Sequence, residues 1–239
     1  GFWSSGKSLP GNFSGRTEEI VYIIIVGAGN IGSSLIDLAT KDPNNVVAIE
    51  IDRKVATAIS RKYDVEVINA DGASAEVLME AGANRADALV ATTRDDATNL
   101  MVTSLGKEIG VPSLVSVVNN PKHSGLFRKM GTNVMQNPEE IVAEYLYNSV
   151  KRPEIQDFIT LTGGARIFKL TVSQESPIAN KSLREAGGKT LPESTLVIAI
   201  ERSGELIVPS GDTVILKGDL LTIFSKEWTP SKTLEKITG

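Results

Sequence analysis

Apolar and polar positions fall into blocks of two different periods along the first 150 residues. Val21-Tyr22-Ile23-Ile24-Ile25-Val26 is an unbroken, largely β-branched run, the pattern of a strand buried on both faces. After Gly27-Ala28-Gly29-Asn30-Ile31-Gly32 the period changes. Ile31, Leu35, Ile36 and Leu38 form a helical stripe up to Thr40, and Asp42-Pro43-Asn44-Asn45 is turn chemistry. Further apolar runs predict strands over 46–51, 65–68, 88–91 and 114–118, with a short sixth at Val134-Met135. Helical stripes intervene over 53–63, 74–81, 97–109, 123–130 and 138–150, and Gly110 with Pro112 is a stop signal for the third of these. Strands alternating with helices are the βαβ signature of a parallel sheet covered on both faces. Right-handed crossovers then make it doubly wound.

After Lys151-Arg152-Pro153 the texture shifts to short strands and tight turns. Strands are expected over 166–172, 196–200, 206–208, 213–216 and 220–224, with a helical turn over 183–186 and a hairpin turn at Arg202-Ser203-Gly204-Glu205. The expectation is an α/β chain: a Rossmann-like doubly wound parallel sheet over 20–150, then a small α+β C-terminal module over 160–228. The boundary is expected between 150 and 163, with Thr162-Gly163-Gly164 as its most flexible point. Residues 1–19 are rich in Gly and Ser, carry Phe2, Trp3 and Phe13 without periodicity, and read as a linker, a tag or an upstream tail.

Composition narrows the function. The 239 residues carry 25 bases and 29 acids, a net charge of −4, which argues against a nucleic-acid partner. There is no cysteine and a single histidine, His123, so thiolate zinc sites, cysteine nucleophiles and histidine-rich metal centres are excluded and no metal is expected. The longest apolar run, from Ile20 to Val26, is far short of the roughly 20 residues of a membrane span. No charged region leads into an apolar one at the start, so no secretory signal is expected.

The chemistry lies at the carboxyl ends of the strands, where open α/β sheets hold ligands. Gly27-x-Gly29-x-x-Gly32 follows a buried strand and opens a helix. In that context the first glycine permits a tight turn, the second lets a pyrophosphate approach the backbone, and the third lets helix and strand pack closely. The helix N-terminus offers unpaired N–H groups to the phosphates. Glu50 ends the second strand, where an acid accepts from ribose hydroxyls and repels a 2′-phosphate, favouring NAD over NADP. Asp71, Thr93 and Arg94 follow strands three and four, and Asn119 and Asn120 follow strand five. Capping of the helix from Ser74 explains Asp71 as well as ligand contact does. Asp95 and Asp96 head the next helix, where acids suit its dipole. A surface or helix-cap role is expected for His123.

Residues 21 to 150 resemble the N-terminal nucleotide-binding module of the TrkA/KtrA proteins, the RCK domain (regulator of potassium conductance). The matching stretches are Ile24 to Gly32, Ala81-Gly82-Ala83-Asn84-Arg85-Ala86-Asp87, Ala91 to Asn99 and Val118-Asn119-Asn120-Pro121. Residues 164 to 226 resemble the family's C-terminal module through Ser176-Pro177, Lys181-Ser182-Leu183, Ile198 to Arg202, Pro209 to Thr213 and Lys217-Gly218-Asp219. The resemblance implies a cytosolic, non-enzymatic regulatory subunit, peripheral to the inner face of the cell membrane. It would gate a membrane-embedded potassium channel or a Trk/Ktr-type potassium uptake transporter as a homo-oligomer, a dimer of RCK units within an octameric ring. It implies NAD(H) as cofactor, with ADP or ATP as alternatives. Carried over by position, Gly27, Ala28, Gly29, Asn30 and Ile31 hold the phosphates with Gly32 closing the motif. Glu50 takes the ribose, Asp71 the adenosine side, and Thr93 and Arg94 line the pocket. The helix over 138–150, with Ile141, Val142, Tyr145 and Leu146, would pair subunits. Many ATP-binding relatives carry Arg where this chain has Asn30, and another common arginine is Val117 here. Both changes weaken binding of a γ-phosphate. The acids of calcium-gated relatives are not matched by Ser116 to Asn119. Three other readings stand beside this one: the cofactor domain of an NAD-dependent oxidoreductase, the gating tail of a channel cut from its own pore, and a C-terminal module that senses a ligand such as cyclic di-AMP. A dehydrogenase needs a positioned acid or base, and only His123 or Lys122 is on offer.

Overall fold

The computed structural model describes residues 20–187, 190–191 and 194–226. The expectation for residues 1–19, and the last two residues of the 160–228 span, lie outside them. The chain divides into two units between Pro138 and Glu139.

The first unit is a six-stranded parallel sheet. Its elements are β1 (Tyr22–Val26), α1 (Asn30–Ala39), β2 (Asn45–Ile49), α2 (Arg53–Lys62), β3 (Glu66–Ile68), α3 (Ala75–Glu80), β4 (Ala88–Ala91), α4 (Asp96–Ile109), β5 (Ser113–Val118), α5 (Ser124–Lys129) and β6 (Asn133–Gln136). The strand order is β3-β2-β1-β4-β5-β6, so the expected doubly wound sheet is present and the order reverses between β1 and β4. The β-branched run explains why β1 is central. Ile24 and Ile25 point to opposite faces, and both are fully buried. Ile24 and Val26 pack with Leu78, Leu89 and Val102, whereas Ile25 packs with Ile36, Ala48 and Ile59. Each strand of the unit falls where the periodicity puts it, within about two residues.

The second unit opens with α6 (Pro138–Lys151), the helix that the sequence pattern groups with the first module. It continues through β7 (Ile155–Thr160), β8 (Arg166–Thr171), α7 (Leu183–Gly187), β9 (Thr195–Arg202), β10 (Glu205–Ile207) and β11 (Leu220–Ser225). The strands form one antiparallel sheet in the order β10-β9-β11-β8-β7, over a core that includes Phe168, Leu170, Ile178, Ile200, Leu221 and Ile223. The β9–β10 hairpin turns on Ser203 and Gly204, both at positive φ, a twist that matches paired strands.

Two expectations fail here. Residues 213–216 are not a strand. Ile215 and Leu183 donate instead to Lys181 and Thr213 across the 180–183 loop, leaving one isolated bridge between Ser182 and Val214. The sequence pattern also misses β7, which pairs with β8 across the turn at Thr162-Gly163-Gly164. β7 lacks strict alternation because its register shifts at Asp157, which sits at positive φ and pairs with Lys169 at 2.6 Å.

Asp219 is the buried charge of this unit, 1% exposed. Both of its oxygens meet Arg202 at 2.8 Å, and the Leu216 N–H donates to it at 2.7 Å. Burial works to raise its pKa, but Arg202 and Leu216 outweigh it and hold the carboxyl below the ordinary value. A depressed folded-state pKa means that the unfolded chain binds the proton first. The stabilisation is therefore complete above about pH 4 and is lost as pH falls through the lower folded value. In acid titrations of stability, the Asp219→Asn variant is expected to lose less stability below pH 4 than the parent. At pH 7, Arg202→Ala is expected to cost about 3–5 kcal/mol in denaturant melts, because it leaves a buried charge unpaired.

Candidate functional site

The carboxyl end of β1 makes a tight turn into α1. Gly27 lies at φ +91°, and a Cβ there would meet the Thr93 backbone nitrogen at 3.0 Å. Gly32 is constrained more severely. A Cβ on it would lie 1.9 Å from the Gly27 carbonyl oxygen, so α1 is seated directly on the turn. Thr92 completes this contact by donating its hydroxyl to the Gly27 carbonyl at 2.6 Å. Gly29 differs, because a Cβ there meets nothing within 4 Å. Its bareness serves no internal packing and leaves backbone open at the helix N-terminus.

Around this turn lies a cleft of about 470 Å³. It brings together Gly27, Gly29, Glu50, Asp71, Thr93 and Arg94 of the sequence-derived set. The other four positions lie outside its lining. Ala28 is buried, Gly32 sits behind the turn, and Asn30 and Ile31 line a separate apolar cleft of about 510 Å³ with Leu35, Val90, Val117 and Met135. An arginine at position 30 would thus start from the rim of the apolar cleft.

Glu50 is fixed before any ligand arrives. Its carboxylate accepts from the Ala28 N–H at 2.6 Å and the Asp52 N–H at 2.9 Å, tying the end of β2 to the glycine turn. A carboxylate offers about four acceptor sites, so acceptor capacity remains for a diol. Asp71 is not a helix cap. Ser74 caps α3, and Asp71 accepts from Ala73 N at 2.9 Å while lining the cleft. Arg94 is the one cation among the residues that line this cleft, beside Glu50, Asp52, Asp71 and Asp95.

Three polar residues have a larger part than the pattern indicates. Asp95 caps α4, accepting from Thr98 N at 2.8 Å and from its hydroxyl at 2.6 Å. Asp96 does not merely complement the helix dipole. It is nearly buried and accepts from Asn119 N, Asn119 Nδ2 and Asn120 N at 2.7–2.9 Å, and its Oδ2 lies 2.7 Å from His123 Nδ1. Burial works to raise its pKa, but the donors from Asn119, Asn120 and His123 hold it below the ordinary range. His123 is accordingly a partner of Asp96, and its side chain makes no cap bond on α5. Asn99 is fully buried and bonds to Thr93 and Val117. Asx residues at helix starts read as caps, which hides such roles. Among the described residues no cluster of three or more acidic, histidine or cysteine side chains is placed to hold a metal ion.

Comparison with known proteins bears on both units. The family model of the TrkA-N domain matches residues 23–138, and that of the TrkA-C domain matches 167–227. A Trk system potassium uptake protein TrkA homolog of Methanothermobacter thermautotrophicus is 28% identical over 220 residues, covering 92% of this chain and all of the relative. The homolog of Pyrococcus abyssi is 30% identical over 214 residues, covering 86% of this chain and 92% of the relative. Among solved structures, the GsuK channel superposes with a TM-score of 0.63 at 20% identity, and the GsuK channel bound to NAD with 0.61 at 21% identity. Each match covers 94% of this chain and 40% of the channel chain, so the chain spans well under half of those proteins, and the likeness speaks for the fold.

Gly32→Ala is expected to lower stability by about 1–3 kcal/mol, the usual cost of forced overpacking, measured as a fall in denaturation midpoint. Gly29→Ala is expected to lower stability by no more than about 1 kcal/mol, since its Cβ meets nothing within 4 Å and the cost is that of replacing a glycine N-cap by alanine. With both modules present in order, and a near full-length relative at 30% identity, the chain belongs to the TrkA family, whose curated relatives are named Trk system potassium uptake proteins.

Proposed function

We propose that the chain binds NAD(H) in the polar cleft of its first unit and uses the bound ligand to regulate a membrane-embedded potassium transporter or channel. The observation that carries this reading is the cleft at the reversal of strand order, where a bare glycine turn, a preset carboxylate at Glu50 and a cation at Arg94 meet. Such reversals are where open α/β sheets take dinucleotides. The curated relatives are named for potassium uptake, and a structural neighbour is an NAD-bound channel. Glu50 opposes a 2′-phosphate and so favours NAD(H) over NADP(H). Asn30 and Val117 bring no cation for a γ-phosphate, so ADP or ATP takes second place. Regulation requires only that the ligand bind two shapes of the assembly unequally.

No described helix is long and apolar enough to cross a membrane, which fits a protein that acts at the inner face of the membrane through its partner. We assign copy-to-copy pairing to α6. Ile141, Val142, Tyr145, Leu146 and Tyr147 are all exposed on it, and Val150 is 83% exposed, an apolar load that a lone surface helix does not carry. That face supports pairing of two copies, and the homo-oligomer proposed is a dimer of two-module units within an octameric ring. We infer a regulatory rather than a catalytic role: the curated relatives are named for potassium uptake, and His123, whose Nδ1 lies 2.7 Å from Asp96, is not among the residues that line the cleft.

Thermal shift against NAD⁺, NADH, NADP⁺, ADP and ATP tests the first reading. NADH at 100 times its Kd is expected to add about 2.7 kcal/mol of stability. Glu50→Gln should weaken NADH binding about 10- to 100-fold, the worth of one or two charge-assisted hydrogen bonds. Equal stabilisation by NADP⁺, or stronger stabilisation by ATP, would contradict it. Light scattering tests the second reading: Leu146→Glu is expected to reduce the oligomer, and an unchanged mass would remove α6 as the pairing helix.

A further inference from the structure

We propose that Asn99 and the Asp96–Asn119 pair are positioning residues for the nucleotide cleft, fixing the backbone on both sides of Arg94 so that its guanidinium meets the ligand's phosphates. The proposal rests on the reading of the cleft given above.

The lining of the cleft holds four carboxylates, Glu50, Asp52, Asp71 and Asp95, and one guanidinium, Arg94. A pyrophosphate entering this surface is repelled unless that guanidinium is held close to it, so the location of Arg94 decides whether the anion is accepted. Long cationic side chains lose considerable rotamer entropy when ordered. Anchoring the backbone from which Arg94 springs reduces what remains to be ordered on binding.

Asn99 is fully buried and spends its whole hydrogen-bonding capacity. Its Oδ1 accepts from Thr93 N at 3.0 Å and from the Thr93 hydroxyl at 2.6 Å. Its Nδ2 donates to the Thr93 carbonyl at 3.0 Å and to the Val117 carbonyl at 3.1 Å. Two acceptor sites and two donors are all that a carboxamide has. On the other flank, Asn119 donates through Nδ2 to the Arg94 carbonyl at 3.2 Å. That amide is itself held by Asp96 Oδ1 at 2.9 Å, and Asp96 also takes the Asn119 N–H at 2.7 Å. The residue before Arg94 is thus clamped by one buried side chain, and the carbonyl of Arg94 itself by another pair.

A purely local role for these residues does not fit the geometry. Capping of α4 is performed by Asp95, which leaves Asp96 free to face the β5 loop. A buried carboxamide and a nearly buried carboxylate are costly unless fully paired, and here their partners are backbone groups of Thr93, Val117, Asn119 and Asn120 in the segments that follow β4 and end β5. What the polar pair supplies is a fixed course for Thr93 and Arg94 at the rim of the cleft. Binding groups lose much of their worth when their support is loose.

A double-mutant cycle on the full chain tests the proposal, with NADH fluorescence as the readout and circular dichroism melts to confirm folding. Arg94→Gln is expected to raise the NADH Kd about tenfold, and Asn119→Ala to raise it by a similar factor, as for loss of one charge-assisted bond. Combined, they should cost no more than Arg94→Gln alone, because Asn119 acts through Arg94. Asn99→Asp, which keeps the shape and loses both donors, should behave likewise; where it fails to fold, the Asn119 cycle decides. Multiplied losses in the double variant would overturn the positioning role, as would unchanged binding in Asn119→Ala. A parent chain that does not bind NADH overturns the reading of the cleft and this proposal together, whereas binding by the parent with multiplied losses overturns this proposal alone.

Discussion

The close seat of α1 on the Gly27 carbonyl is the contact on which the first unit depends. A Cβ at position 32 would stand 1.9 Å from that oxygen, so the helix can approach the strand only where position 32 has no side chain. The approach sets the direction of α1 and brings its N-terminus to the edge of the sheet. Thr92 locks the same carbonyl from β4, the strand on the far side of the reversal, and Glu50 locks the Ala28 N–H from β2. Three neighbouring strands thus converge on one turn, and the cleft is the space left above it. Preorganisation of this kind means that a ligand meets groups already placed, and less of its binding energy goes into ordering them.

Beyond the turn, the first turn of α4 works as a junction between β4 and β5. Asp95 faces its own helix, Asp96 faces the β5 loop and Asn99 faces the β4 loop. Three polar residues on one helical turn have three separate partners, and two of them hold the segments that carry Thr93 and Arg94 into the lining of the cleft. The second unit uses a comparable device for its own architecture. Asp219, buried and paired with Arg202, pins the 214–219 turn to β9, which is why a segment with strand-like sequence forms a loop there instead.

Most of the architecture was legible in the sequence because burial writes it there. A parallel strand covered on both faces needs a continuous apolar run, and 21–26 is one; β2, β4 and β5 follow the same rule. The elements that were not legible are those where burial is partial or polar groups decide. β7 carries Gln156 and Asp157 and changes register at the latter, so alternation is lost. Residues 213–216 carry the apolar, β-branched run of a strand but find partners in the 180–183 loop, a tertiary choice without a local signal. At the site, the glycine spacing and Glu50 were readable because each answers a steric or electrostatic demand of one short motif. Asn30 and Ile31 belong to the same motif but face the apolar cleft, since successive residues of a helix start point in different directions. The bonds of Asp96 to Asn119, Asn120 and His123, and of Asn99 to Val117, join residues 18 or more apart in sequence, and those of Asn99 to Thr93 run against the direction of the helix, so spacing cannot reveal them.

Hydrogen–deuterium exchange on the full chain, with and without saturating NADH, tests most directly the claim that this turn is a dinucleotide site. The account predicts added protection over residues 27–32, 50–55, 71–73 and 92–99, the segments that surround the cleft. Protection confined to the second unit, or an unchanged pattern across the turn while NADH is bound, would contradict it.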